Sequence, residues 1–491
     1  MSWDVAFTAE AEAAARNHLL CHYSRGDDQE DLCFALWRPS TGHTRNAALI
    51  DRIVLPKKGD RLLHGNVSFQ PTYLARALAL AQSSNSGLAF MHSHPTPGWQ
   101  PMSGTDVVAE RDVLAYPAGA TSLPLVGLTI GSDGYWSARF WQRHRGHMSS
   151  FWCDKVRVVG RDSYHVFYND ELVPPPTRQR ILTRTFDTWG QEAQQRIARL
   201  HVGIVGLGSV GCLVAEAIAR IGVARVTLID PDDVAEHNLD RLVYGTRKDI
   251  GVPKVRLAAR KMRRNGTARA IRVTPLPLSI HNDLAYRSAI DCDIIFSCVD
   301  RPLARDVLNY LAFAHLIPVV DGGIAIEYDY HREGLFAAHW RAHLVTPYHQ
   351  CLRCNGQYSS SMVTVELDGS LDDPSYVSML PPGQADANQN VFPFSMSAAA
   401  FEVNLFLRYL LSPDWWPIVK QQDYQFVTGE IRIINDKCHP YCAFRGRIAL
   451  GDGSKPPYVV TGPPLTRRRA VSQHLPTLLD RVMRFRRMFQ R

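Results

Sequence analysis

No apolar run in the 491 residues reaches the ~18 that a membrane-spanning helix needs, so no membrane span is expected. The opening stretch, MSWDVAFTAEAEAAARNHLL, lacks the basic start of a secretory signal and carries acids there instead. The ten cysteines are therefore expected in a cytoplasmic, reducing setting, as thiols or metal ligands rather than disulfides. Internal repeats and long low-complexity tracts are also missing. The net charge of +8 has no single strong block in the body of the chain. Much of it lies in the C-terminal TRRRA and RVMRFRRMFQR, including Arg467–Arg469, Arg484, Arg486 and Arg487. Charge alone does not choose among nucleic acid, membrane and acidic protein as partners.

The length predicts two to four domains. Residues 8–24 read as a helix, DLCFALWRP and LAFMHSHP as strands, and PTYLARALALAQ and DVVAERDVLAYP as helices. LPLVGLTIGSDGYWSARFW reads as a hairpin. These make a compact α+β unit over 1–150. NDELVPPPTRQR then predicts a linker over 151–180, because consecutive prolines continue neither helix nor central strand. From about residue 200, strands and helices alternate: HVGIVGLG, SVGCLVAEAIARIG, ARVTLID, KVRLAARKMRRNG, IRVTPLP, CDIIFSCVD, ARDVLNYLAFAHL and IPVVDGG. That alternation predicts a doubly wound parallel sheet. The expected class is α/β: an N-terminal α+β domain, a Rossmann-like domain over 181–445, and a basic tail over 446–491.

HSHPTPGWQPMSGTD places His92 and His94 two apart on a strand, where both imidazoles face one side. Ser103 and Asp106 follow at a helix start. Read alone, S-x-x-D is also an ordinary capping box, and the paired histidines are ordinary polar residues at a sheet end. The segment resembles the H-x-H-P…S-x-x-D signature of JAMM (JAB/MPN-type) metalloisopeptidases, with one more residue between His94 and Ser103 than that family usually has. The resemblance implies a catalytic zinc on His92, His94 and Asp106, with Ser103 as oxyanion donor. It implies an upstream glutamate as general base, for which Glu30 stands in the right place and Asp31 beside it. Three protein ligands and an open position suit hydrolytic zinc.

GIVGLGSVG carries Gly206, Gly208 and Gly211 between a strand and a helix, and Asp230 ends the next strand. This is a dinucleotide-type fingerprint that by itself also fits a dehydrogenase. The chain continues with LIDPDDVAEHNLDRLVYG, GVPKVRLAARKM and SCVDRPLARDVLN. In that order these segments resemble the ThiF/MoeB-type ubiquitin-activating (adenylating) enzymes. The resemblance implies ATP and Mg²⁺ bound by Asp230, Asp232, Asn238, Arg241, Lys254, Asp300 and Arg305. Asp230 would take the ribose, Lys254 the phosphates and Asp300 the metal. It also implies a homodimer with an arginine given in trans, from Arg178 or Arg180. CLRC (Cys351, Cys354) and CHPYC (Cys438, Cys442) match that family's two cysteine pairs, which hold a structural zinc; the second pair is one residue wider. Between Cys354 and Cys438 there is no cysteine. Family members that form a thioester with their substrate usually carry theirs in this interval, so none is expected on this chain. Cys212, at a helix start, reads as a packed structural thiol.

Together the two resemblances imply a bifunctional enzyme acting on one chemical end. The first domain would cut at a ubiquitin-like modifier's C-terminal glycine, or remove the modifier from conjugates. The second would adenylate that glycine. The alternative is maturation and activation of a sulfur-carrier protein for thiocarboxylate formation. The implied partner is a ubiquitin-like or sulfur-carrier protein, with a ubiquitin-conjugating enzyme as a further one. Nucleic acid is not expected among the partners.

Overall fold

The computed structural model describes residues 1–23, 26, 29–64, 66–329, 331, 334–372, 390–413, 416 and 421–460. The first sheet is built from β1 (Ser2–Thr8), β2 (Leu32–Thr41), β3 (Arg45–Val54), β6 (Gly87–Ser93), β7 (Leu125–Ile130), β8 (Trp136–His144), β9 (His147–Trp152), β10 (Lys155–Val159) and β11 (Tyr164–Tyr168). Its order is β11-β10-β1-β3-β2-β6-β7-β8-β9. A small hairpin, β4 (Arg61–His64) and β5 (Asn66–Phe69), lies outside it. β6, Gly-Leu-Ala-Phe-Met-His-Ser, is buried at every position, as a central strand covered on both faces must be. The helix Pro71–Ser83 begins with proline and buries Tyr73, Ala77 and Ala81, one stripe four residues apart.

The expected linker over 151–180 is a correction. β10 pairs in parallel with β1, and β11 closes the sheet edge antiparallel to β10. Lys-Val-Arg-Val-Val is buried throughout, because its charged residues are paired inside a protein interface rather than turned to solvent. The first domain therefore runs to Tyr168. The helix expected over DVVAERDVLAYP is also interrupted: α-helix Gly104–Val108 passes through a π-turn, Ala109–Leu114, before Ala115–Ala118.

The second sheet contains β12 (His201–Val205), β13 (Arg225–Ile229), β14 (Arg272–Leu276), β15 (Ile294–Ser297), β16 (Val319–Asp329), β17 (Gly334–Val345), β18 (Gln421–Gln425) and β19 (Glu430–Ile434). Its order is β14-β13-β12-β15-β16-β17-β18-β19. The first five pair in parallel and the rest antiparallel. This is the expected doubly wound arrangement with an antiparallel extension. Among the described residues no helix is long and apolar enough to cross a membrane.

The two sheets share one hydrophobic cluster: Ala6, Leu49, Val159 and Tyr164 pack with Val202, Ile204 and Phe296. Buried charge joins them as well. Asp293, just before β15, accepts from Arg45 Nη1 at 2.9 Å, Lys155 Nζ at 2.6 Å and the His201 backbone N–H at 2.8 Å. Asp4 accepts from Arg157 Nε at 2.9 Å, and Arg157 Nη1 donates to the Leu316 carbonyl at 3.3 Å. Residues 446–460, expected as the start of a tail, also pack here. Thr41 Oγ1 donates to Asp452 at 2.6 Å, and a Cβ on Gly451 would sit 2.0 Å from the Pro39 carbonyl oxygen. The basic residues Arg467–Arg469, Arg484, Arg486 and Arg487 lie outside the described residues.

Burial works against the Asp293 charge, yet Lys155, Arg45 and Arg157 outweigh it and hold the carboxyl below the ordinary range. Its folded pKa is depressed, so its contribution is present above the unfolded value and lost as pH falls below about 4. Asp293→Asn should destabilise the chain by about 3–5 kcal/mol, because it leaves buried cations unpaired. Scanning calorimetry at neutral pH should show the joint transition broaden or split. An unchanged thermogram would show that the ion cluster does not join the domains.

Candidate functional sites

The first site forms where β6 ends. His92 Nε2 and His94 Nε2 face one another at 3.2 Å. Asp106 closes the triangle, Oδ1 3.4 Å from His92 and Oδ2 3.2 Å from His94. Two neutral imidazoles whose acceptor nitrogens meet at this distance repel unless a cation or proton lies between them. Tetrahedral zinc with bonds of ~2.0–2.1 Å has ligand-to-ligand edges of roughly 3.3 Å, so the donor set fits that ion. Burial opposes the charge on Asp106, but hydrogen bonds from His92 and His94 overcome it and hold the carboxyl far below its usual range. Burial likewise opposes the His94 cation, and Asp106 more than offsets it, raising that pKa.

Glu30 precedes β2, whose Leu32 is the ladder partner of His92. Burial raises its carboxyl pKa, His94 and His92 pull it back, and Asp106 adds to the rise. Asp31 is turned to a different group: its fully buried carboxylate meets His18, His22 and Arg61. Ser103 takes the N-cap position. Its Oγ accepts from the Asp106 backbone N–H at 3.2 Å and lies 2.8 Å from Thr105 Oγ1. Asp106 Oδ2 accepts from the Ser103 N–H at 2.7 Å. The capping box and the histidine triangle thus use the same aspartate, and the helix cap aims it.

Sequence reasoning missed what anchors that helix. Glu110, fully buried in the π-turn, accepts from Arg139 Nε at 2.9 Å and Trp141 Nε1 at 2.6 Å. Gly127 leaves the room: a Cβ there would lie 2.2 Å from Glu110 Oε2. Arg139 also donates to Thr129 Oγ1 at 2.8 Å, and that hydroxyl stands 3.4 Å from His92 Nε2. The available signal was an arginine inside the apolar WSARFW strand.

The second site lies at the C-terminal ends of β12, β13 and β15. Gly206 has φ +88°, and a Cβ there would be 2.3 Å from the Cys298 carbonyl oxygen. On Gly211 a Cβ would meet the Gly206 carbonyl oxygen at 1.9 Å, whereas Gly208 faces open space. The loop therefore hugs the sheet and leaves a cradle at the start of helix Ser209–Arg220, suited to phosphate. Asp230 accepts from the Leu207 N–H at 2.5 Å and the Asp232 N–H at 2.7 Å. Burial raises its pKa and Lys254 opposes this. Asp232 pairs with Lys254 Nζ at 3.0 Å.

Asn238 and Arg241 occupy the turn after β13. Asn238 accepts from the Ala235 N–H at 3.1 Å, and Arg241 donates to the His237 carbonyl at 2.6 Å. Asp300 is exposed just beyond β15. Arg305 Nη1 donates to the Gln357 carbonyl at 3.2 Å, and burial lowers its pKa against the pull of Asp321. Behind it, Asp321 accepts from Ser297 Oγ at 2.6 Å and Arg341 Nη2 at 2.7 Å. Glu402, fully buried, has its pKa pushed well up by burial and by Asp321. Arg178 and Arg180 are both exposed; Arg178 lies 3.6 Å from Asp187.

Cys351, Cys354, Cys438 and Cys442 converge, with every sulfur within 4.8 Å of the others. Cys351 Sγ and Cys442 Sγ are 3.6 Å apart, close to the roughly 3.8 Å edge of a tetrahedral zinc–thiolate site. Backbone N–H groups of Cys351 and Cys354 point at sulfurs. Cys212 is buried, and burial pushes its thiol up to about 11. Part of the cysteine-free interval, 373–389, lies outside the described residues.

Gly211→Ala should weaken ATP binding at least about tenfold, because the helix start must move away from the loop to admit the methyl group. Gly208→Ala should leave the fold intact and act on nucleotide affinity alone. Nucleotide titration alongside thermal melting separates the two; equal affinity for wild type and Gly211→Ala would refute the cradle.

Curated relatives match about a third of this chain. The Escherichia coli molybdopterin-synthase adenylyltransferase is 33% identical over 144 residues, 29% of this chain and 56% of its own length. The Thermus thermophilus sulfur carrier protein adenylyltransferase is 29% identical over 177 residues, 36% of this chain and 61% of its own. The SAMP-activating enzyme of Haloferax volcanii is 29% identical over 168 residues, 34% of this chain and 57% of its own. The chain thus spans little more than half the length of these curated relatives. The stretch that carries the glycine loop, Asp230, Lys254 and Asp300 matches the ThiF family over residues 180–379.

Proposed function

We propose that the second domain adenylates the C-terminal glycine of a small carrier protein, and that the first domain hydrolyses a bond at the same glycine. The carrying observation is the gathering of the glycine cradle, Asp230, Lys254 and Asp300 at one end of a parallel sheet. The carrier's carboxylate attacks the α-phosphate of ATP and pyrophosphate leaves. Lys254 and Arg241 would offset charge on the phosphates, Asp300 would hold Mg²⁺ and Asp230 would take the ribose. An arginine from Arg178 or Arg180 of a second copy completes the site in a homodimer.

Relatives named for molybdopterin synthase and for a sulfur carrier protein support sulfur transfer as the destination of the adenylate. Of the two readings of the sequence, the sulfur-carrier alternative is the better supported. The modifier reading stands alongside it, because the His92–His94–Asp106 triangle is compatible with removal of a conjugated modifier as well as with processing of a precursor. In either case zinc at that triangle would supply a Lewis acid. Glu30 would accept a proton from the attacking water and return it to the leaving amine. Ser103 would donate to the developing oxyanion once its hydroxyl turns from Thr105. Cys351, Cys354, Cys438 and Cys442 would hold a structural zinc.

Two substitutions test the division of labour. Glu30→Ala should cut cleavage of a C-terminally extended carrier by ~10²–10⁴-fold while zinc content stays constant. Asp300→Ala should abolish ATP–pyrophosphate exchange and leave that cleavage intact. Loss of both activities in either variant would refute two independent sites. Mass spectrometry of the carrier after incubation with ATP and a sulfur donor separates the destinations: a thiocarboxylate supports sulfur transfer, an isopeptide adduct supports conjugation.

A further inference from the structure

We infer a second zinc site in the first domain, made by Cys21, His22 and Asp31 and separate from the His92–His94–Asp106 triangle. One ligand atom from each of the three lies within 4.8 Å of the others, and among the described residues this is a group of its own. Cys21 and His22 follow the helix Ala9–Leu19, while Asp31 leads into β2. One ion would therefore tie a helix end to a strand start.

The orientation of Asp31 carries the inference. The residue has no solvent exposure. Its Oδ1 is taken: it accepts from the Leu32 N–H at 2.8 Å and faces Arg61 Nε at 2.9 Å and His18 Nε2 at 3.4 Å. Its backbone is fixed as well, since its N–H donates to Ser93 Oγ at 3.0 Å and its carbonyl accepts from the Ser93 N–H at 3.0 Å. Oδ2 makes no hydrogen bond and points toward His22, whose Nε2 is 3.7 Å away. That gap is long for a hydrogen bond, but only a few tenths of an ångström above the roughly 3.3 Å edge between two zinc ligands. A carboxylate with one oxygen held by cations and the other left for a metal is a common support arrangement at such sites.

The donor types choose the ion. One thiolate, one imidazole and one carboxylate suit zinc and do not suit Mg²⁺ or Ca²⁺, which need all-oxygen shells. Cys21 would lose its proton to the solvent on binding, and its thiolate with Asp31 would balance the two charges of the ion. Glu30 is the neighbour of Asp31, so the same ion would fix the backbone beneath it; this last consequence alone rests on the hydrolytic reading above.

Zinc per chain, measured by mass spectrometry on the full-length protein, tests the site without any assay of activity. Cys21→Ser and His22→Ala should each lower the count by one, and the double variant by one in total. His92→Ala should remove a different ion, so its loss adds to that of Cys21→Ser. The wild-type protein gives a check free of folding defects. Cys21 should resist alkylation, mapped by peptide mass, until zinc is chelated. A wild-type zinc count in Cys21→Ser and His22→Ala, or equal alkylation of Cys21 before and after chelation, overturns the site. An unchanged count in His92→Ala would instead refute the hydrolytic triangle and leave this inference standing.

Discussion

The buried carboxylate of Asp293 sets the relation between the two halves of the molecule. It sits one residue before β15 and takes hydrogen bonds from Arg45 and Lys155 of the other sheet. Isolated, any of these charges would be too costly to bury. Together they offset one another, and the shared apolar cluster around them excludes water. Asp291 extends the contact by accepting from the backbone N–H groups of Thr44 and Arg45. The two halves are therefore joined through side chains that neither could bury alone.

This placement decides where the sites point. The joined residues lie at the N-terminal ends of the second sheet: His201 opens β12 and Asp293 precedes β15. The residues proposed to bind nucleotide lie at the opposite ends, since Gly206 follows β12 and Asp300 follows β15. In the first sheet the contact uses β1, β2, β3, β10 and β11. His92 stands on β6 and His94 just beyond its end, with β2 between β6 and β3. The end of the second sheet with the proposed nucleotide residues is thus the one away from its contact with the first domain. The two proposed reactions would be linked by release and rebinding, or by a second copy of the chain, rather than by a shared pocket.

Both candidate sites are held by buried acids that touch no reacting group. Glu110 fixes the helix that carries Asp106, through Arg139 and Trp141. Glu402 stands behind the second site, within 3.5 Å of the Cys298 sulfur. Its companions Asp321 and Arg341 fix the floor under Arg305. Such supports cost desolvation and return position, which a site needing sub-ångström placement requires.

The sequence by itself determined the local chemistry. Strand and helix alternation, the glycine loop, the cysteine pairs and the H-x-H spacing are all short-range patterns, and the elements carrying them lie where their periodicity places them. It determined the boundary at 151 poorly. KVRVV looks polar for a core, because Lys155 finds its carboxylate, and Arg157 one of its two partners, only in the other half of the chain. Glu110 with Arg139 and Asp293 with Lys155 are likewise contacts between distant segments, and no periodicity encodes them. Only the tertiary structure separates the surroundings of the adjacent Glu30 and Asp31. One faces the histidine triangle and the other is turned into a separate buried cluster, because consecutive residues on an extended backbone point to opposite sides.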